Sequence, residues 1–362
     1  MAKRLAYDRV LFVVTLSLVA LGLVMVFSAS AMVSLEQAHS PYYFLLRQTV
    51  GAALGLALLW ALMRLDYRKL KSPAVVYPAL FATIVLLTIV FLLDRAHNTH
   101  RWIRLGILSL QPSELAKPTL ILFLAFYLES RWQRINEWPV LRPILAYLAL
   151  LAALVLFEPD LGTTVALVLI AAIMCYAAGL GWRYFGYAAL ASAPVLYWAV
   201  FHVAYRRERI LAFLHPWSDP RGASFQIVQS LIAIGSGGFA GRGLMEGRQK
   251  LFFLPEPHTD FIFSVTSEEL GLLGAALVVI LFALFLARGL RVARRAPDAF
   301  GRFLAVGVTA MVVVQALINF SVVTGLVPTK GIPLPFISYG SSSLVFTLAA
   351  VGVLLNVSAQ AN

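Results

Sequence analysis

Ten apolar stretches recur along the chain, at residues 10–32, 44–63, 73–93, 112–129, 141–157, 161–179, 184–203, 262–287, 300–323 and 338–358. Each is near the ~20 residues of helix needed to cross a ~30 Å hydrocarbon layer. A backbone surrounded by lipid must satisfy its polar groups within its own segment, so the pattern predicts an all-α integral membrane protein. With 60% hydrophobic and 13% charged residues, the chain is too apolar to enclose itself as a soluble core. No tandem repeat or low-complexity linker interrupts the series, and residues 1–362 read as a single polytopic domain. Ala29-Ser30-Ala31 has the look of a leader-cleavage site, but the apolar run before it is too long for a leader core and reads as a span. Cys175, the single cysteine, leaves no intrachain disulfide and no cysteine metal cluster.

The net charge of +12 is spread over short segments between spans, where it orients a membrane protein, and no basic domain stands free to bind nucleic acid. If ten helices alternate, Lys3, Arg4, Arg9, Arg64, Arg68, Lys69, Lys71, Arg131, Arg134, Arg142, Arg183, Arg288, Arg291, Arg294 and Arg295 gather on one side together with both termini. That side is expected to be cytoplasmic. The other side receives 94–111, 324–337 and the large extracytoplasmic loop 204–261, which is expected to contain amphipathic or re-entrant helices. Arg206, Arg207, Arg209, Arg221, Arg242, Arg248 and Lys250 break the charge rule within that loop and point to an anionic ligand.

The richest polar segment, Glu256-Pro257-His258-Thr259-Asp260, abuts the eighth span at Phe261. Carboxylates beside hydrocarbon are costly unless partnered or used, which makes Asp260 the leading functional candidate over a loop carboxylate paired with an arginine. Glu114 and Lys117 lie three apart on one helix face at the start of the fourth span, as a packing ion pair or as substrate ligands. His258 reads either as a substrate group or as a scaffold for Asp260. Glu268 and Glu269 suit either the positive end of the eighth helix or a metal or substrate contact, Asp160 suits the N-cap of the sixth, and Ser338 to Ser343 suit helix packing better than a nucleophile motif.

Four ordered motifs carry a family resemblance. They are Arg101-Trp102-Ile103 with Gln111-Pro112-Ser113-Glu114; Pro159-Asp160-Leu161-Gly162-Thr163; Leu254-Pro255-Glu256 with His258-Thr259-Asp260-Phe261; and Pro333-Leu334-Pro335-Phe336-Ile337-Ser338-Tyr339-Gly340. From about Asp8 to Asn356 the chain resembles the bacterial SEDS (shape, elongation, division and sporulation) membrane proteins, and Gln249-Lys250-Leu251 and Pro328-Thr329-Lys330-Gly331 look more like the division branch than the elongation branch.

The resemblance implies a peptidoglycan glycosyltransferase that polymerises lipid II at the outer face of the cytoplasmic membrane. Asp260 would be the base, and Arg101, Arg104, Arg242, Arg248 and Lys250 would face the diphosphate, with Mg²⁺ or Mn²⁺ sharing that role. Glu114, Lys117 and His258 would help to bind substrate. It further implies a class B penicillin-binding transpeptidase and other division-complex proteins as partners, besides membrane lipid. The sequence departs from the family pattern at Glu158, where glutamine is usual and which is expected to add a charge to a tight outer turn, and at Ser341, where a second glycine is usual and serine resists the positive φ that glycine accepts. The alternatives are a lipid-linked precursor flippase or transporter, for which repeat-related broken helices are expected, a polymerase of the elongation branch, and a noncatalytic scaffold of the division machinery.

Overall fold

The computed structural model describes residues 7–93, 101–105, 108–202, 204–220, 222, 224–251 and 253–361. Lys3, Arg4, Arg221 and the segment 94–100 lie outside the described residues, as do the side chains of Arg104 and Arg206. Twelve α-helices are present among the described residues: α1 (Arg9–Ala38), α2 (Tyr43–Arg64), α3 (Pro73–Leu93), α4 (Pro112–Glu129), α5 (Trp138–Phe157), α6 (Leu161–Ala177), α7 (Trp182–Phe201), α8 (Ala204–Leu214), α9 (Phe225–Ser236), α10 (Ile262–Arg295), α11 (Ala299–Val323) and α12 (Ser341–Gln360). A short antiparallel hairpin of β1 (Ile103–Leu105) and β2 (Leu108–Leu110) is the strand pair of an otherwise helical multi-pass membrane protein.

Each of the ten apolar stretches coincides with a helix, and α8 and α9 are the two helices inside the 204–261 loop. Seven helices are long and apolar enough by themselves to cross a membrane. The other three depart for readable reasons: α4 carries Glu114, Lys117 and Glu129, α6 has 17 residues, and α7 holds Arg183 and three tyrosines. In α11 and α12, 78% of the apolar window is buried against other helices, compared with 28% in α10, so α11 and α12 form the centre and α10 faces outward.

Polar contacts sort the helix ends into two layers. Asp8 bonds Ser358 and pairs with Arg288, the Tyr67 N–H donates to Asn356, Arg68 pairs with Asp298, Lys71 pairs with Glu129, and Asn136 bonds the Gly179–Gly181 turn. Both chain ends and every strongly basic short loop therefore share one end of the bundle. The opposite end carries the α5–α6 turn, the 204–261 segment and the α11–α12 connection. The serine at 341 needs no glycine freedom, because it is the first residue of α12 and its backbone lies outside the left-handed region.

One helix is broken. Gly271 inside α10 has φ 65° and ψ −162°, which interrupts the helical hydrogen-bond ladder. The loop after α9 repairs the gap: the N–H groups of Arg242 and Gly243 donate to the carbonyls of Glu268 and Glu269, and the N–H groups of Leu272 and Leu273 donate to Gly238 and Phe239. Two backbones can approach this closely only where side chains are absent, and a Cβ on Gly241 (φ 83°) would strike the Glu269 carbonyl. Gly241→Ala is expected to cost ~1–3 kcal/mol through left-handed strain, before the clash is counted. Denaturant unfolding in detergent micelles should show the loss, and wild-type stability in this variant would contradict the repaired-break description.

Candidate active site

Asp260 sits immediately before α10, and its position is set by α11 and by the strap that joins α11 to α12. Gln315 and Asn319, one helical turn apart on α11, turn their amides toward that strap. Gln315 Nε2 donates to the Pro333 carbonyl at 2.9 Å, while Asn319 Nδ2 donates to Ile332 at 2.7 Å and to the Asp260 carbonyl at 2.9 Å. Ser338 Oγ donates to the Thr259 carbonyl, and the Tyr339 N–H donates to His258 at 2.9 Å. Residues 258–260 are thereby laid against the strap. Gly331 leaves room for the carboxyl, since a Cβ there would come within 2.6 Å of Asp260 Oδ2.

The Asp260 carboxyl is partly exposed, yet burial of its surroundings pushes its pKa up to about 7, reinforced by Glu256 and, more weakly, by Asp160. The Arg209 and Arg101 guanidinium groups oppose that rise, which places two cations in its electrostatic neighbourhood. Arg209 reaches over from α8 to donate to the Thr329 carbonyl of the strap at 3.0 Å. Arg101 donates to the carbonyls of Glu158 and Pro159 at 2.8 and 2.6 Å, and Asp160 caps α6 through the Thr163 N–H. Glu158, expected to add a charge to this turn, is instead fully buried with neither carboxyl oxygen hydrogen-bonded, and its pKa rises to about 8 through burial and then Asp160. It holds its proton at neutral pH.

Glu114 and Lys117 do form an ion pair, 2.8 Å apart and each 3% exposed. Lys117 Nζ also donates to Gln315 Oε1 at 2.7 Å, so the pair is wired through Gln315 to the strap beside Asp260. Lys250, Arg242 and Arg248 join a second cluster, around Glu268 and Glu269. Lys250 is buried and bonded to Glu269 and Ser28, while Glu269 also accepts from the Met245 N–H. Glu268 accepts from the backbone of Arg248 and Gln249 and has Arg242 at 3.9 Å. Lys250 therefore spends its charge inside the protein, whereas the side chains of Arg242 and Arg248 remain exposed. The imidazole of His258 packs against Phe44 and Tyr339, and burial pushes its pKa down to about 4, which keeps the ring neutral.

Sequence reasoning set out Arg209 only as one of several loop arginines, and it passed over Gln315 and Asn319. An Asn or Gln inside an apolar span is costly unless bonded, and that cost was the available signal. Among the described residues no group of three or more His, Cys, Asp or Glu side chains is placed to hold a metal ion. Mg²⁺ or Mn²⁺ sharing a diphosphate needs no such group, because it is usually held by one or two carboxylates together with the substrate's own phosphates.

Fold and site together define a polytopic membrane protein with an elevated-pKa carboxyl near two arginines at the end opposite its basic loops. Residues 8–362 match the sequence profile of the cell cycle protein family that joins FtsW, RodA and SpoVE, and the chain belongs to that family. It is 46% identical to the probable peptidoglycan glycosyltransferase FtsW of Geobacter metallireducens, over 98% of this chain and 95% of that one. It is 40% identical to stage V sporulation protein E of Bacillus subtilis, over 98% of each. Among solved structures it resembles a chain from a peptidoglycan synthase complex that coordinates polymerization and crosslinking (34% identity, 99% of both chains, TM-score 0.77). It also resembles the rod shape determining protein RodA of Thermus thermophilus (31% identity, 98% of this chain and 97% of that one, TM-score 0.71).

Breaking a buried pair strands one charge, so Glu114→Gln is expected to cost roughly 3–5 kcal/mol, and Glu114→Gln with Lys117→Met should recover much of it. Unfolding of both variants in micelles tests this; a single variant as stable as the wild type would show that the pair does not hold the packing.

Proposed function

We propose that the protein polymerises lipid II into glycan strands as a peptidoglycan glycosyltransferase of septal wall synthesis, with Asp260 as general base. The observation that carries this reading is Asp260, whose backbone is anchored by α11, whose carboxyl fits the space left at Gly331 of the strap, and whose pKa is raised to about 7 by burial. A carboxylate with a pKa near the working pH is well matched to taking a proton from a hydroxyl during transfer. The proton of the acceptor hydroxyl goes to Asp260, its oxygen forms the bond to the donor's anomeric carbon, and the anomeric C–O bond breaks with its electron pair leaving on the undecaprenyl diphosphate. One displacement converts an α-linked donor into a β-linked product. Arg209 and Arg101, with the exposed Arg242 and Arg248, supply positive charge toward the developing diphosphate. A divalent cation would arrive on the diphosphate itself.

The basic end of the bundle is cytoplasmic, with both termini, and Asp260 works at the outer face of the bacterial cytoplasmic membrane. A class B penicillin-binding transpeptidase is the natural partner to crosslink the strands, within a larger division complex. The relatives named for peptidoglycan glycosyl transfer, and the solved complex that couples polymerization to crosslinking, support this assignment. A flippase would call for repeat-related broken helices; among the described helices α10 alone has a non-helical residue within it, and that break is filled by the protein's own loop.

Asp260→Asn, reconstituted with a transpeptidase whose crosslinking site is inactivated, is expected to lose polymerisation of purified lipid II by at least ~100-fold while still folding. Undiminished polymer would assign the base elsewhere. Because the base acts ionised, the wild-type rate should climb as pH rises through about 7. Glu256 contributes to that elevated value, so Glu256→Gln should move the acid limb of the profile to lower pH, and an unmoved limb would separate the profile from Asp260.

A further inference from the structure

At the basic end of the bundle, far from the proposed chemistry, α1, α10 and the tail of α12 enclose a cavity of about 240 Å³ lined by Tyr7, Asp8, Arg9, Arg288, Arg291 and Arg295, among others. Its charges are unequally used. Arg288 donates Nε to both oxygens of Asp8, at 3.1 and 3.0 Å, with its Nη2 at 2.8 Å, and Asp8 also caps α1 through the Leu11 N–H. That acid is therefore fully engaged. The side chains of Arg9, Arg291 and Arg295 make no ion pair or hydrogen bond to any described residue, although all three line one concave space. Asp8 is the one acid in the described lining, so these three like charges share the space without a described counter-charge of their own, and an anion relieves their repulsion. The start of α1 adds the positive end of its helix dipole to the same space.

The lipid-facing surface says which kind of anion. Leu277, Ile280 and Leu284 are 50%, 54% and 40% exposed, and their spacing of three, four and then seven residues places Arg291 on the same face of α10. On α1, Val10 and Val13 are exposed beside Arg9, with Val13 one turn along its face. An apolar stripe on α10, and the exposed pair Val10 and Val13 at the start of α1, thus lead up to these arginines on two helices that pack against each other. A basic hollow between membrane helices, reached along apolar surface, suits an anionic head group with acyl chains. We infer that this cavity is a binding site for the phosphodiester head group of an anionic glycerophospholipid, with Arg9, Arg291 and Arg295 as ligands and the apolar surface of α1 and α10 against its chains.

The full chain in phosphatidylcholine nanodiscs carrying a trace of spin-labelled phosphatidylglycerol provides the test, with spin-labelled phosphatidylcholine as reference and the motionally restricted fraction as readout. The wild type should prefer the anionic label. Arg291→Ala with Arg295→Ala should weaken that preference roughly fivefold per arginine removed, the equivalent of ~1 kcal/mol for each basic residue at a membrane surface. Arg291→Lys with Arg295→Lys should keep most of it. Arg131→Ala with Arg134→Ala, at the same end but outside the cavity, should leave it unchanged. All these side chains are exposed, so folding should persist, and thermal melting verifies it. An equal fall in the Arg131 and Arg134 variant, or no fall in the Arg291 and Arg295 variant, would overturn the site in favour of a diffuse basic surface. Displacement of the label by millimolar inorganic phosphate would overturn the lipid in favour of a free anion. A wild type without preference would overturn it too, leaving an acidic segment of a partner protein as the occupant.

Discussion

Two side-chain amides on one buried helix hold the working end of this protein together. Gln315 and Asn319 sit in α11, where a polar side chain without partners would be expensive, and that expense is offset by bonds to the strap carbonyls and to Asp260. Because α11 lies at the centre of the bundle, the strap is referenced to one of its two most deeply buried helices. The Glu114–Lys117 pair reaches the same strap through Gln315, so a buried ion pair, a helix amide and an irregular loop form one connected polar network. Two of its atoms, Glu114 Oε2 and Asn319 Oδ1, are buried without a hydrogen-bond partner, so the network fixes the strap through its remaining bonds.

The spans were legible because lipid demands the same thing everywhere: helical length and apolar surface. All ten stretches became helices, including α4, α6 and α7, which fall short of the plain length-and-composition rule. The α5–α6 turn and the cap by Asp160 could also be read, since three residues between two spans leave little freedom. The charge rule placed both termini and the basic loops at one end, and contacts such as Asp8 with Ser358 and Lys71 with Glu129 put them there.

What escaped the sequence is the set of contacts made by irregular backbone. Nothing in Gly237 to Gly243 announces that this loop would complete a broken helix, and nothing in Lys250 announces a buried partner in Glu269. Glu158 looked like a surface charge in a tight turn, but its burial depends on how the turn closes beneath Arg101, a tertiary fact with no local signature. Asp260 stood out because a carboxylate ahead of a span is unusual wherever the chain folds. Arg209 did not, being one arginine among several until α8 carried it to the strap.

The joint in α10 is held from both sides by one loop. The carbonyls of Glu268 and Glu269, in the half-helix that follows Asp260, accept from that loop, and Leu272 and Leu273, which begin the outer half, donate to it. A tilt imposed on the outer half by a thicker or thinner bilayer therefore loads the loop between α9 and Asp260 as well as the helix. Bilayer thickness thereby reaches the 204–261 segment along two routes, the helix axis and the stapled loop.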